Sequence, residues 1–490
     1  MIRFRPAALA LPAAFLLACA GAHPGAAGSS SARPDAGGPA PIWRELRSAH
    51  TVLSTDLDPG RARQTILQLE FVRGALVKIL DADLPSRPLE VVAFAQAADY
   101  APFQPSPDAF AHYSFDDTGE ERVVMWAYLD QARREVVSHE MAHFLAFHAI
   151  PRQPLWFAEG LAQLLASGSE CLPAWVYTAG LFPHQGYLEL WHRRPVTVRE
   201  VLGWSGLEEK SGALYVRSWV LVHYLANRWP DRLRALEERF TAGADFRLAW
   251  DAVFPEWSLD VPGATDRLDR ELNGYQASPS PAELNVQVEV DQRVEERTLT
   301  SAEAREVRLG LRRSGSQSSA EPEVEAALAA DPGDVRALMA RAERTPAAAT
   351  ALAHRAVEAH PESPLAWAFL GREGLPRTDH SGRADAFCKA VALDPEHPAR
   401  ALDLVAELLA LAQYPEALEL AQRAGRTAPF SPVAPYYAAW ALAGVGRCTD
   451  ASASVEQAKS LAGAGRQDGF IPEAELERMQ RLCAERAKRR

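Results

Sequence analysis

The stretch His139-Glu140-Met141-Ala142-His143 decides how this chain is read. On an α-helix, residues four apart share a face, so His139 and His143 present two imidazoles to one point. Glu140 stands one residue along, where its carboxylate reaches whatever those imidazoles hold. Sixteen residues after His143, within Trp156-Phe157-Ala158-Glu159-Gly160, Glu159 offers an oxygen donor. Two imidazoles and one carboxylate form a donor set suited to Zn2+, with a fourth position left open.

Outward from this stretch, Val136, Val137, Met141, Phe144 and Leu145 supply apolar positions at helical spacing, so the motif is expected on a helix. A strand over 122–129, with Val123, Val124, Trp126 and Tyr128, precedes it. Pro151 and Pro154 bound a short loop, and a second helix is expected from Leu155 to Ser167. Fifteen residues separate His143 from Glu159. The rest of the first helix, the loop and one turn of the second fit that length.

H-E-x-x-H on a helix is the arrangement of zinc-dependent hydrolases. Together with Pro154-Leu155-Trp156-Phe157-Ala158-Glu159-Gly160-Leu161-Ala162, it resembles the H-E-x-x-H plus W-x-x-E-G signature of gluzincin metallopeptidases, specifically the peptidase-MA-like group. The resemblance covers roughly residues 50 to 230. It departs from many gluzincins in the shorter interval between His143 and Glu159. It implies that His139, His143 and Glu159 bind Zn2+ and that Glu140 is the general base. In this family an edge strand beside the cleft pairs with an extended substrate, and 122–129 is the expected strand. Tyr215 lies in a segment resembling the helix that supplies an oxyanion donor in related aminopeptidases; the alternative for Tyr215 is a core position on a Trp-rich helix. Gln163 is a candidate to orient a ligand. His148 lies on another helix face and is expected in solvent, while His112, His184, His192 and His223 lack ligand spacing.

The N-terminal part reads as a strand over 50–57, a long amphipathic helix with Ile66, Leu69, Val72, Leu76, Ile79 and Leu80, a buried strand over 89–94 and a short strand over 111–115. Residues 172–275 are helical in tendency. Residues 276–320 change composition and read as a connector, with Val286, Val288 and Val290 compatible with a small hairpin.

From 321 onward the chain is Ala- and Leu-rich, with prolines at 332, 361, 395 and 429, spaced 29, 34 and 34. A 34-residue period resembles tetratricopeptide repeats, pairs of antiparallel helices. Trp367, Leu370, Gly371, Phe387, Ala390 and Pro395 stand at or near the positions of that repeat, and Ala417, Ala424 and Pro429 continue it. A terminal helix over 472–487, antiparallel to the one after Cys448, brings Cys483 back near Cys448, where a disulfide is compatible with the pattern.

Arg3 and Arg5 precede an apolar run, Ala7 to Ala18, too short to span a membrane as a mature helix. Its end, Leu16-Leu17-Ala18-Cys19, resembles a bacterial lipoprotein signal in which Cys19 is lipidated, although Leu17 is bulky for its place. The alternative is a secretory signal cut a few residues later. Both imply export, which permits disulfides. The resemblance implies attachment to the cell envelope by the lipid on Cys19 alone.

The expected organisation is a signal peptide over 1–19, a flexible tether over 20–41, an α+β zincin-like metallopeptidase domain over 42–275, a connector over 276–320 and an all-α tetratricopeptide-repeat solenoid over 321–490. A net charge of −12 with 24% charged residues argues against nucleic acid as the main partner. The expected partners are a peptide or protein substrate and a protein bound by the repeats. Two other functions fit the sequence: a non-catalytic, repeat-based binding lipoprotein on a zincin scaffold, and a metal-dependent hydrolase of a non-peptide amide.

Overall fold

A computed structural model describes residues 41–80, 87–104, 110–115, 121–127, 131–166, 169–171, 176–179, 196–204, 211–275, 284–311, 321–461 and 473–487. Residues 1–40, which hold the expected signal peptide with Cys19 and nearly all of the expected tether, lie outside the described residues, as do His184 and His192. The chain divides into two compact units. One comprises Met1–Leu84, Val91–Tyr113 and Val123–Arg297; the other comprises Pro85–Glu90, Ser114–Arg122 and Thr298–Arg490. The first part is mixed α/β and the later part mostly helical.

Strands β1 (Arg44–Arg47) and β2 (Thr51–Thr55) form an antiparallel hairpin that pairs Arg44 with Thr55. Sequence reading missed β1, whose four residues carry little periodicity. Helix α1 (Pro59–Leu80) begins with proline at its first position, where the missing N–H costs no hydrogen bond. Asp58 Oδ1 accepts from the Arg61 N–H there. The apolar stripe expected on this helix is buried from Ile66 to Leu80. Its one buried carboxylate, Glu70, accepts from Ser48 Oγ at 2.6 Å and from the His50 N–H at 3.1 Å, and so pins the hairpin turn.

Next come β3 (Leu89–Phe94), the short helix α2 (Ala97–Tyr100), β4 (Ala111–Phe115), β5 (Glu121–Trp126), α3 (Gln131–Ala149) and α4 (Leu155–Ala166). After these lie β6 (Ser169–Cys171), β7 (Val176–Ala179), α5 (Val198–Leu202), α6 (Ser211–Arg228), α7 (Pro230–Thr241), α8 (Phe246–Val253) and α9 (Ala264–Tyr275). The stretch read as connector contains β8 (Leu284–Gln287) and β9 (Glu295–Thr298). These two strands do not form a hairpin with each other. The described sheets run β4-β5-β3-β2-β1-β9 and β6-β7-β8, so β8 extends the small sheet while β9 flanks β1. Long-range pairing of this kind leaves no local signature.

The sheet order corrects one expectation. The strand before the motif helix, β5, is internal, and β4 occupies the edge. Edge position is set by which strands pair across the sheet, which local sequence does not show; Val123, Val124 and Met125 are consecutive and all buried, so β5 is also covered on both faces.

In the helical unit, α10 (Ser301–Leu309) and α11 (Glu321–Ala330) precede α12 (Val335–Arg344), α13 (Ala349–Ala359), α14 (Pro364–Phe369), α15 (His380–Leu393), α16 (Pro398–Ala410), α17 (Tyr414–Thr427), α18 (Val433–Gly444), α19 (Cys448–Leu461) and α20 (Glu473–Ala487). The prolines that set the period have a plain role. Asp331, His360, Asp394 and Ala428 each close a helix by donating to the carbonyl four residues back. Pro332, Pro361, Pro395 and Pro429 come directly after and cannot extend the helix. Asp334 and Ser363 then cap the next helices, accepting from the Ala337 and Ala366 N–H groups.

Helix packing explains the other repeat positions. Phe387 is buried, and a Cβ on Gly371 would lie 2.6 Å from its ring, so only glycine allows that approach. Ala417, Ala421 and Ala424 line the next interface, beside Val405 and Ala438. At the end of the array, Cys448 and Cys483 form a disulfide joining α19 and α20, with Cα atoms 5.7 Å apart. No described helix is long and apolar enough to cross a membrane.

Candidate metal centre

Helices α3 and α4 bring the site together. His139 Nε2 and His143 Nε2 lie 3.0 Å apart, and Glu159 Oε2 lies 3.2 Å from each. Among the described residues this is the one group of three or more such side chains arranged to hold a metal ion. Three ligands about 2.0–2.1 Å from a tetrahedral ion stand roughly 3.3 Å from one another. The observed separations are close to that, so the donor set fits zinc.

The residues of the second stretch have physical tasks here. Trp156 is fully buried and packs edge-on against Phe157 and Trp250. Phe157 meets Phe240. These aromatic contacts fix the rotation of α4, and with it the side of the helix from which Glu159 projects. Pro154 supplies the carbonyl that accepts from the Phe157 and Ala158 N–H groups, starting the helix. Gly160 lets α4 touch α6: a Cβ there would fall 2.6 Å from the Ser218 carbonyl oxygen and 2.7 Å from Val222 Cγ2. Gly160→Ala is therefore expected to cost about 1–3 kcal/mol through overpacking. Thermal unfolding and zinc affinity should both fall, because the displaced helix carries Glu159.

Electrostatics bind the three side chains together without metal. Burial alone would raise the Glu159 carboxyl, but the His143 charge, hydrogen bonds with His139 and His143, and the His139 charge hold it down to about 2. Burial would lower His143; the Glu159 carboxylate, by charge and hydrogen bond, and then Glu140 outweigh this and raise it. The signs fix a pH window for the metal-free protein. Stability from Glu159 is present above its ordinary 4.5 and is lost as pH falls toward about 2. Stability from His143 is present below its ordinary 6.5 and is lost as pH rises through the raised value. Denaturation of chelator-treated protein should show this contribution in full between pH 4.5 and 6.5.

Glu140 is placed by a residue that sequence reading did not single out. The Tyr113 N–H on β4 donates to Glu140 Oε2 at 2.8 Å. This bond sets the edge strand beside the metal group and fixes the carboxylate. The Tyr113 ring packs against Phe144 and Phe147 of α3. Nearby, Tyr100 is buried and its hydroxyl lies 3.0 Å from His112 Nδ1. Burial, then the charge of Glu140, pushes the Tyr100 phenol well above its usual range. Only the alternation of β4 hinted at Tyr113, and nothing local marks Tyr100 as the partner of His112.

Tyr215 is half-buried on α6 and meets Trp204 edge-on, with ring centroids 5.0 Å apart. It lies one turn before Ser218, the residue that abuts Gly160. Gln163 is buried on α4, one turn past Glu159. His148 departs from expectation. It is buried, edge-on to Phe144, because the end of α3 is covered rather than exposed. His223 is buried as well and accepts or donates through Nδ1 to Tyr275 Oη at 2.8 Å, within the packing of α6 on α9.

No family model matches this chain. No curated protein matches it either. Among solved structures, the helical region is similar to the crystal structure of MamA protein, at 18% identity over 31% of this chain and 84% of that chain. The TM-score is 0.26, so this likeness carries no argument, and the description of the helical unit rests on its own helices. The fold and site together define a mixed α/β part with a His-His-Glu group that could hold a metal ion, followed by a mostly helical part.

Proposed function

We propose that this chain is a zinc-dependent peptidase of the gluzincin type, with a tetratricopeptide-repeat-like helical part. The observation that carries this is the convergence of His139, His143 and Glu159 within 3.2 Å, beside a carboxylate already held by the edge strand. His139, His143 and Glu159 hold the ion, which when bound supplies a Lewis acid for an attacked carbonyl.

The remaining steps belong to the chain itself. β4, the edge strand of the described sheet, is assigned to pairing with an extended peptide, as sheet edges do. Glu140 takes a proton from the attacking water and returns it to the leaving amine. The Tyr113 N–H keeps that carboxylate oriented while its charge changes. Tyr215 is assigned as donor to the developing oxyanion, on the strength of its helix abutting the one that carries Glu159. Gln163 is assigned to orienting Glu159.

The helical part is assigned to binding a protein, substrate or partner, on its stacked helix pairs. We place the protein in the cell envelope, held by the lipid on Cys19. The disulfide between Cys448 and Cys483 supports an oxidising compartment. The test is digestion of an unfolded protein by the zinc-loaded full chain, read as new N-termini by mass spectrometry. Cleavage stopped by a chelator and restored by zinc is the expected result; absence of cleavage by zinc-loaded protein contradicts the reading.

A further inference from the structure

Residues Met141 to Ala146 of α3 are all buried, whereas Phe147, one turn past His143, is only partly so. Phe147 lies on the His139–His143 face and also borders the stripe formed by Glu140 and Phe144. Its ring centroid is 6.4 Å from that of His143. The ring of Tyr113, also partly buried, lies at 25° to that of Phe147, with centroids 6.2 Å apart. Two large aromatic rings thus keep partial exposure beside a polar metal group, although Phe144 and Leu145 already supply the core contacts of this turn. Tyr113 is also the residue whose backbone fixes Glu140. Phe147 and Glu140 thus share α3, and the Tyr113 N–H ties β4 to that helix at the base.

We infer that Phe147 and the Tyr113 ring form the wall that receives a bulky apolar side chain of the substrate, one residue from the cleaved bond. The inference rests on the peptidase reading and names the substrate class for that site. A strand advances about 3.3 Å per residue. A side chain next to the attacked carbonyl therefore comes within reach of a ring adjoining His143. Burying an apolar side chain against these partly buried aromatic residues removes apolar surface of both from water, and a charged side chain there loses hydration with no partner.

The experiment compares cleavage of a peptide mixture by the zinc-loaded full chain with that by Phe147→Ala and Phe147→Glu, with zinc content measured for each. The wild type should favour Phe, Leu or Met beside the cleaved bond over Ala. In Phe147→Ala this preference should shrink by roughly tenfold with zinc retained. Phe147→Glu should move the preference toward Lys and Arg, a gain that general destabilisation does not produce. Cleavage with unchanged selectivity in both variants overturns the inference and leaves the peptidase reading standing. A zinc-loaded wild type that cleaves nothing overturns both.

Discussion

Glu140→Gln should lower kcat by about 10²–10⁴, the usual contribution of a positioned general base, or roughly 3–5 kcal/mol of barrier. The amide side chain nearly matches the carboxylate in shape, and its carbonyl oxygen can accept the Tyr113 N–H as Glu140 Oε2 does at 2.8 Å. What it cannot do is take a proton from water. Zinc content should stay at the wild-type value, because Glu140 is not among the three converging ligands. KM should change little, since the amide oxygen keeps the bond to the Tyr113 N–H and β4 stays in place. Steady-state kinetics with metal analysis checks all three, and activity within a few-fold of wild type would remove Glu140 from its assigned role.

The second large effect concerns the far end of the chain. Breaking the Cys448–Cys483 disulfide, which spans a sequence separation of 35, should cost the terminal helix pair about 2–4 kcal/mol. Helix α20 otherwise holds to α18 and α19 through a modest cluster of Leu476, Met479 and Leu482 against Ala439, Leu442 and Val455. Fifteen residues cannot sustain a helix in water on their own. In hydrogen exchange of the full chain, Cys448→Ser with Cys483→Ser should therefore strip protection from Glu473–Ala487. Protection in α3 and α4 should be unaffected. Equal protection with and without the disulfide would show that packing alone retains the cap.

Much of the site was legible in the sequence because helical spacing is a strict ruler. The residues His139 and His143 had to share a face, and Glu159 had to lie one turn into the next helix. The proline-punctuated repeats were legible for a similar reason, since each proline marks a helix end. What remained hidden depends on contacts distant in sequence. The edge position of β4 follows from sheet order, and Tyr113 meets Glu140 across 27 residues. The strands within 276–320 acquire partners only in three dimensions. His148 was misjudged because helix phase shows which residues share a face, but not what covers it.

The most direct test of the central claim is the zinc content of the purified chain, set beside His143→Ala. The account predicts about one zinc per chain in the wild type and loss of it in the variant, with the helical unit still folded. A wild type that takes up no zinc on reconstitution, or a His143→Ala variant that binds it as well as the wild type, would contradict the account.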